Sequence, residues 1–487
     1  MERLTGLDAS FLYNETPSLH MHTLKYAVLD VTPLEGEFSL ERLRSELVDR
    51  LHLLPQFRRR MVEVPLGLHH PVWIEDGRFR LEDHVRSVQV PAPGGRREMD
   101  DVIGRLASTP LDRSRPLWEC WVLEGLATDI DDPLAGPADG SRVGFLVKMH
   151  HALADGVAAA ALLANVMDPD PGATVPPPEG AWRPEPVPGV WELVLDAVRD
   201  AVANIRKLPA LARRTFANLR KVREHRKDAE VSTPRPIIDA PRSHFNGALT
   251  PRRAFASAEM DLATVKEVRA AFGVSVNDVV LGLVAGSLRR HLEATDGLPD
   301  KSLLASIPVA ADPASSRLTG NRVSNLFTSL RTDLADPVER LQAIHEVTGA
   351  SKEVQGLLGI EMMADWIEYT PPRPYAWAMR QYGRLGLAEH HAPPINLIVS
   401  NVPGPREPLH IAGARLDGIW SVGPILEGVG LNVTVWSYLD RVHVGVLGCA
   451  DHWADGGRGL HVVTDGMAAA LAELHELAGK VREPPFN

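Results

Sequence analysis

The sequence predicts a two-domain α/β protein, and three observations lead to that class. The chain has 487 residues, more than one ordinary hydrophobic core organises. Its composition, 44% hydrophobic and 24% charged, is typical of a globular protein. Segments with strand periodicity and segments with helix periodicity lie on both sides of a proline-rich break. We therefore expect two domains that each combine helices and strands, joined by a linker.

Prolines set the predicted boundaries. Eight prolines fall between positions 169 and 188, and a second group falls between 234 and 241. Proline lacks a backbone N–H, so neither a helix nor a central strand continues through such a run. The predicted units are an N-terminal domain over 1–167, a linker over 168–244 and a C-terminal domain over 245–487.

Periodicity places the main elements within these units. In the N-terminal domain we expect helices over 39–53 and 99–107 and a half-buried strand over 143–149. In the C-terminal domain we expect a buried strand over 396–400, a hairpin over 431–447 and a terminal helix over 462–477. Gly466 should interrupt the terminal helix near its start, and Gly479 should end it.

The strand over 143–149 leads into the most informative stretch of the chain, His150-His151-Ala152-Leu153-Ala154-Asp155-Gly156. Adjacent residues at a strand end point to opposite faces, so we expect one histidine to face a cleft and the other to face inward. An imidazole titrates near neutrality and is suited to taking and returning a proton. His151 is our candidate base and His150 its support, while Asp155 and Gly156 should shape the turn.

Two other interpretations of this stretch remain open from its residues. The histidines could be satisfied polar groups of the core, or His-His-x3-Asp could supply three metal ligands. The sequence offers no obvious fourth ligand, so we predict no metal. It also lacks a Gly-x-Ser-x-Gly elbow beside the histidines, and a base without a protein nucleophile favours direct transfer between two substrates.

The linker contains a basic amphipathic segment, residues 191–227. Leu195, Val198, Val202, Ile205, Leu208, Phe216 and Leu219 recur at helical spacing, and Pro209 should kink or divide the helix. The segment carries ten Lys and Arg against four Asp and Glu, whereas the whole chain has a net charge of −11. Its apolar face either docks across the two domains or lies on an anionic lipid surface. If it meets lipid, neutralising Arg213, Arg214, Arg220 and Lys221 should weaken binding to anionic liposomes.

Several further stretches give the chain a family resemblance. They are Leu4-Thr5-Gly6-Leu7-Asp8-Ala9-Ser10-Phe11, Met21-His22, Pro116-Leu117-Trp118, Asn277-Asp278-Val279-Val280-Leu281 and Ser400-Asn401-Val402-Pro403-Gly404-Pro405. Together with the histidine stretch, they resemble the bacterial wax ester synthase/diacylglycerol acyltransferase (WS/DGAT) family. The matches are spread over nearly the whole chain. The resemblance implies two similarly folded domains like chloramphenicol acetyltransferase, each with a mixed sheet flanked by helices.

The resemblance also implies an activity. His151 would deprotonate the hydroxyl of a diacylglycerol or a long-chain alcohol, and the oxygen would attack an acyl-CoA thioester without an acyl-enzyme. Acyl-CoA is then a co-substrate, with no tightly bound cofactor and no nucleic-acid partner expected. Asn277 is the candidate donor to the developing oxyanion, or else the N-cap of the helix that follows it. The alternatives are a condensation-type amide- or ester-forming acyltransferase and a non-catalytic lipid-binding protein of the same fold.

The compartment is predicted from cysteines and apolar runs. Cys120 and Cys449 are the two cysteines of the chain, so a disulfide framework is not expected. No secretory segment and no run of about 18 apolar residues is evident. We expect a cytoplasmic protein, with peripheral contact to the inner face of the membrane or to lipid droplets.

Overall fold

The computed structural model describes residues 1–34, 38–134, 136, 138–154, 158, 165–173, 175–178, 180, 182, 184–310, 320–359 and 361–482. Within this part of the chain, the strands are β1 (Glu2–Arg3), β2 (His22–Asp30), β3 (Arg59–Val62), β4 (Val72–Glu75), β5 (Val85–Gln89), β6 (Trp118–Glu124), β7 (Arg142–His150), β8 (Arg253–Asp261), β9 (Leu304–Ala310), β10 (Val323–Ser329), β11 (Leu397–Val402), β12 (His410–Ile411), β13 (Ala414–Val422), β14 (Leu431–Tyr438) and β15 (Arg441–Cys449).

The α-helices of the same residues are α1 (Gly6–Asn14), α2 (Leu40–Arg50), α3 (Arg96–Ala107), α4 (Val190–Asp228), α5 (Leu262–Phe272), α6 (Val276–Ala294), α7 (Pro337–Leu358), α8 (Met362–Ile367), α9 (Pro372–Arg384) and α10 (His461–Arg482). Asp155 and Gly156, two of the predicted site residues, lie outside the described residues.

Two six-stranded mixed sheets form the frame, as the sequence predicts. The first has the order β12-β13-β2-β7-β6-β5, and the second has the order β10-β9-β11-β14-β15-β8. Most neighbours are antiparallel, but β5 and β6 run parallel, and β11 is parallel to both β9 and β14. A small sheet, β1-β4-β3, lies beside the first. The fold is therefore α/β with mixed sheets.

The two sheets do not follow the two halves of the sequence. Strands β12 and β13, at positions 410–422, complete the first sheet by pairing β13 with β2, and Trp420 lies opposite Tyr26. An apolar sheet face is stable only when other elements cover it, and those elements can come from a distant part of the chain. The predicted boundaries at 167 and 245 remain a prediction, but residues from the C-terminal side of both boundaries build part of the N-terminal sheet.

The terminal helix corrects one expectation. Helix α10 runs without interruption from His461 to Arg482, so neither Gly466 nor Gly479 breaks it. A Cβ on Gly466 would lie 2.4 Å from the Ser287 side chain of α6. Gly466 therefore allows two helices to pack closely, and that packing outweighs its weak helix propensity.

Of the two outcomes predicted at Pro209, a kink or a division of the linker helix, the division is wrong. Helix α4 is continuous through this residue for 39 positions. Both Pro209 and Ile205, four residues earlier, lie on the solvent side. The carbonyl that loses its N–H partner there can be hydrated, which reduces the cost of proline within the helix.

None of the helices in the described part of the chain is, by itself, both long and apolar enough to cross a bilayer. Helices α5 and α6 would meet the length and composition criteria only as a pair bent by 101°.

Candidate active site

The histidine pair lies where β7 ends in the middle of the first sheet. His150 is the last residue of the strand and is 1% exposed, whereas His151 is half-buried. The His150 amide donates to the Leu117 carbonyl at 2.9 Å, and its Nδ1 accepts from the Ala152 amide at 3.1 Å. Burial holds the pKa of His150 well below its usual range, so the ring is neutral. His150 therefore faces inward as expected, and His151 is the more exposed of the two; that His151 is the base stays a prediction.

The His151 ring is fixed on one side by the N-terminal segment. Its centroid lies 4.2 Å from that of Phe11 in α1, and the two rings are stacked. Its backbone amide donates to the carbonyl of Met21 at 2.9 Å. Met21 has a positive φ of 44°, an uncommon conformation for a non-glycine residue. Two of the stretches that carry the family resemblance therefore contact the candidate base.

A second contact of the His151 ring comes from the C-terminal half. The Nδ1 atom of His151 lies 3.1 Å from Oδ1 of Asn321. The Asn321 Nδ2 group donates to a carboxylate oxygen of Asp8 at 2.6 Å and to the His151 carbonyl at 2.9 Å. Because both neighbours of Nδ2 are acceptors, the amide oxygen must face His151, and Nδ1 must carry the proton. The lone pair of the neutral imidazole is then on Nε2.

Asp8 holds Asn321 in place. It is 4% exposed, and one carboxylate oxygen accepts from both the Asn321 amide, at 2.9 Å, and the Asn321 side chain. Its other oxygen accepts from the hydroxyl of Thr5, the N-cap of α1, at 2.8 Å. Burial raises the pKa of Asp8 to about 6, although these hydrogen bonds act in the opposite direction. Thr5, Asp8, Asn321 and His151 form one connected polar chain.

The segment that carries Asn321 is seated on the histidine turn. Gly320 forms a bridge with Ala154, and its amide donates to the Leu153 carbonyl at 3.3 Å. Gly320 has a φ of 75°, which favours glycine. The candidate site is thus assembled from three distant parts of the chain: the first helix, the end of β7 and the start of β10.

Asn277 does not occupy one of its two predicted positions, the N-cap of α6. It is the second residue of α6 and is half-buried, while Ser275 is the N-cap and forms a capping box with Asp278. The N-cap interpretation of Asn277 is therefore wrong, because Ser275 already satisfies the exposed amides. Asp278 also accepts from Nδ1 of His345 at 2.7 Å. Among the described residues, no hydrogen bond joins Asn277 to His151, so its proposed role as an oxyanion donor is untested.

A cleft of about 530 Å³ opens beside Asn321. Residues of α1, α4, β10 and α8 line it, among them Leu7, Leu211, Val323 and Ala364, together with Tyr369 just after α8. Its charged residues are of both signs: Arg214 pairs with Asp365, and Glu368 accepts from the Gly6 amide at 2.5 Å. The cleft is a mixed apolar and polar space that reaches the residue bonded to the candidate base.

The sequence drew attention to some of these residues without assigning their roles. Asp8 and Phe11 belong to the N-terminal stretch of the resemblance, and they were given no part in the site. Asn321 carried no signal, because it follows no motif and no periodic segment. The Val402-Pro403-Gly404-Pro405 turn is structural, since a Cβ on Gly404 would lie 2.0 Å from the Ser437 carbonyl.

Two family models together match most of the chain. The model of the wax ester synthase/diacylglycerol acyltransferase catalytic domain matches residues 4–280, and the model of the WS/DGAT C-terminal domain matches residues 319–475. A Mycobacterium tuberculosis protein, provisionally named a diacylglycerol O-acyltransferase, is 39% identical over 481 residues, which are 98% of this chain and 97% of that protein. Another protein of that organism with the same provisional name is 36% identical over 476 residues, which are 98% and 90% of the two chains.

Solved structures agree in fold. The wax ester synthase/diacylglycerol acyltransferase of Marinobacter aquaeolei has a TM-score of 0.64 and 27% identity, covering 98% of this chain and 100% of that one. The first condensation domain of the CDA synthetase has a TM-score of 0.56 over 97% of this chain and 96% of that one, and at 16% identity it shows the fold alone. The expected pair of chloramphenicol acetyltransferase-like domains is confirmed.

A histidine turn between two such domains defines an acyltransferase. This chain belongs to the wax ester synthase/diacylglycerol acyltransferase family. Acyl-CoA and an acceptor lipid are the substrates that membership implies.

Proposed function

We propose that the protein transfers an acyl group from acyl-CoA to the free hydroxyl of diacylglycerol, giving triacylglycerol. Long-chain alcohols are the alternative acceptors and would give wax esters. The observation that carries the proposal is the hydrogen bond from His151 Nδ1 to Asn321, since it leaves the basic lone pair on Nε2. The provisional names of the Mycobacterium relatives support diacylglycerol as the acceptor.

In the proposed reaction, Nε2 of His151 removes the proton of the acceptor hydroxyl as its oxygen bonds to the thioester carbonyl carbon. The carbon–sulfur bond then breaks, and the imidazolium returns the proton to the CoA sulfur. The products are one ester and one CoA thiol, so no acyl-enzyme is needed. Binding both substrates in one site replaces a two-body encounter by a local one, and general-base catalysis contributes about 10²- to 10⁴-fold.

The polar chain behind His151 has a positioning role in this proposal. Asn321 selects the tautomer, Asp8 orients Asn321, and Phe11 limits the tilt of the ring. We propose that Asp155 and Gly156 shape the turn from its other end, and that Asn277 donates to the oxyanion. A helix start such as that of α6 also presents amides that stabilise negative charge.

The test is a transfer assay on the purified protein. A labelled long-chain acyl-CoA is mixed separately with a diacylglycerol, hexadecanol and a long-chain amine, and thiol release and labelled products are measured. We expect ester formation with diacylglycerol, its loss in His151→Ala, and its retention in the control variant His475→Ala, which changes a half-exposed histidine of α10. Amide as the sole product would favour the condensation-type alternative. Acyl-CoA binding without turnover of any acceptor would favour a lipid-binding protein.

A further inference from the structure

Helix α4 has two apolar faces, and the protein covers one of them. The covered face is formed by Leu193, Ala197, Leu211 and Val222, which are buried. The second face consists of exposed apolar residues spaced three or four positions apart, with one longer interval: Trp191, Leu195, Val198, Val202, Ile205 and Phe216. Trp191 is 78% exposed, Ile205 64% and Phe216 73%. We call this second set the outer stripe.

The outer stripe is the face whose periodicity the sequence shows, and the prediction that it docks across the domains is wrong. The helix is attached through its other side. Arg3 bonds to Asp200 at 2.6 Å and to Asp196, and the Asn218 side chain donates to the Leu358 carbonyl at 2.9 Å. Attachment to the protein therefore does not use the outer stripe. A row of exposed apolar side chains of this length is costly in water and indicates an interaction surface.

Basic residues extend the outer stripe towards the end of α4. Arg213, Arg220, Arg223 and Lys227 stand at −3, +4, +7 and +11 relative to Phe216, so they share its face of the helix. All four are exposed. Residues 191–227 contain ten basic and four acidic side chains in a chain with a net charge of −11. The exposed face of α4 that contains the outer stripe is thus mainly apolar in the first half of the helix and cationic in the second half.

We propose that the outer stripe of α4 docks the protein on an anionic phospholipid surface. Apolar and aromatic side chains enter the interfacial region, while Arg and Lys pair with the headgroups. A second copy of the chain fits this face less well. In a two-fold contact, the basic half of one stripe would meet either the basic half or the apolar half of the other stripe. Neither arrangement supplies acidic partners for the Arg and Lys side chains.

Helix α4 stands between the proposed lipid surface and the cleft. Leu211 and Arg214, on other faces of the same helix, line the cleft that contains Asn321. Trp366 of α8, 40% exposed, donates from its indole to the Thr215 hydroxyl of α4 at 2.9 Å, also on the side away from the outer stripe. An acceptor lipid would therefore pass around α4 on its way from the membrane surface to the cleft.

The experiment measures flotation of the full chain with phosphatidylcholine vesicles and with vesicles that also contain phosphatidylglycerol. One variant combines Trp191→Ser, Ile205→Ser and Phe216→Ser, and a second combines Arg213→Gln, Arg220→Gln, Arg223→Gln and Lys227→Gln. Arg214 is left unchanged because it pairs with Asp365. The control combines Leu134→Ser and Val462→Ser, two exposed apolar residues elsewhere on the surface.

We expect the wild type and the control to float with the anionic vesicles, and each stripe variant to bind them at least about tenfold more weakly. The charge variant should lose its preference for phosphatidylglycerol, and added salt should weaken the wild type in the same way. Circular dichroism verifies that the variants are folded. The proposal is overturned if the wild type does not bind anionic vesicles, or if both stripe variants bind them as tightly as the wild type does.

Two further measurements, of the oligomeric state and of turnover in detergent, distinguish lipid docking from dimerisation and from loss of activity. Sedimentation velocity would reveal a dimer that the apolar variant abolishes, which would assign the stripe to a second copy and overturn the lipid assignment. Turnover of diacylglycerol dispersed in detergent should be the same in wild type and stripe variants. Because flotation does not depend on turnover, the His151→Ala variant should float like the wild type even if the proposed reaction fails.

Discussion

His151 donates from Nδ1 to Oδ1 of Asn321 at 3.1 Å, although 170 positions separate the two residues. The bond joins the end of β7 to the start of the second sheet. Since Asp8 fixes the Asn321 amide, the tautomer of the candidate base depends on one residue near the N-terminus and one in the C-terminal half of the chain. His151 therefore has the required tautomer only when the two halves of the chain have folded together.

Replacing His151 by Ala should lower kcat by about 10²- to 10⁴-fold, because the proton acceptor is lost. His151 is half-buried at a turn, so the free energy of unfolding should change by less than about 1 kcal/mol. Steady-state kinetics and urea denaturation measure the two quantities. Full activity in this variant would refute the general-base role.

Replacing His150 by Ala should mainly destabilise the protein. The ring is buried and accepts the Ala152 amide, so its loss leaves a cavity and an unsatisfied donor, at a cost of about 2–4 kcal/mol. At a temperature where the variant is folded, kcat should exceed that of His151→Ala. A stable His150→Ala protein with abolished turnover would reverse the two assignments.

Replacing Asn321 by Ala should lower kcat by about 10- to 10³-fold while KM changes little, because the imidazole can then adopt the wrong tautomer. The control is Asn325→Ala, a half-buried asparagine of β10 whose side chain accepts from Ser306. Its kcat should remain near that of the wild type. An equal fall of kcat in both variants would indicate general damage to β10 and would contradict a positioning role.

The raised pKa of Asp8 predicts a dependence of stability on pH. Burial raises its pKa from 3.8 to about 6 in the folded protein, so the folded state binds the proton more tightly than the unfolded state does. Its contribution to stability is fully present below about pH 4 and is lost as the pH rises through about 6. A shift of this size corresponds to about 3 kcal/mol. Urea denaturation should show the difference between wild type and Asp8→Asn changing in that window, and a constant difference would disprove it.

Substitution of Asn277 tests the oxyanion role by itself, because Ser275 and Asp278 cap the helix. Asn277→Ala should lower kcat by about 10²-fold through loss of the oxyanion donor, with little effect on stability. Ser275→Ala is the matched variant and should cost about 1 kcal/mol of stability. Unchanged kcat in Asn277→Ala would remove the residue from the proposed mechanism.

The sequence by itself determined the local features. The alternation over 143–149 predicted the strand that ends at His150 and His151, and the observed strand is Arg142–His150. Prolines marked the linker, and periodicity found the long helix within it, observed as Val190–Asp228. These features depend on backbone chemistry and on the spacing of apolar residues, both of which can be inferred from neighbouring positions.

Only the tertiary structure decided which distant residues meet. Nothing near Asn321 indicated that it bonds to His151, and nothing near positions 410–422 indicated that they complete the first sheet. Periodicity showed that α4 has an apolar face, but Leu193 and Leu211 on its other side are the residues that the protein buries. A sequence pattern shows that a surface is apolar or that a side chain can hydrogen-bond. Which partner covers or binds it depends on how all the elements pack together.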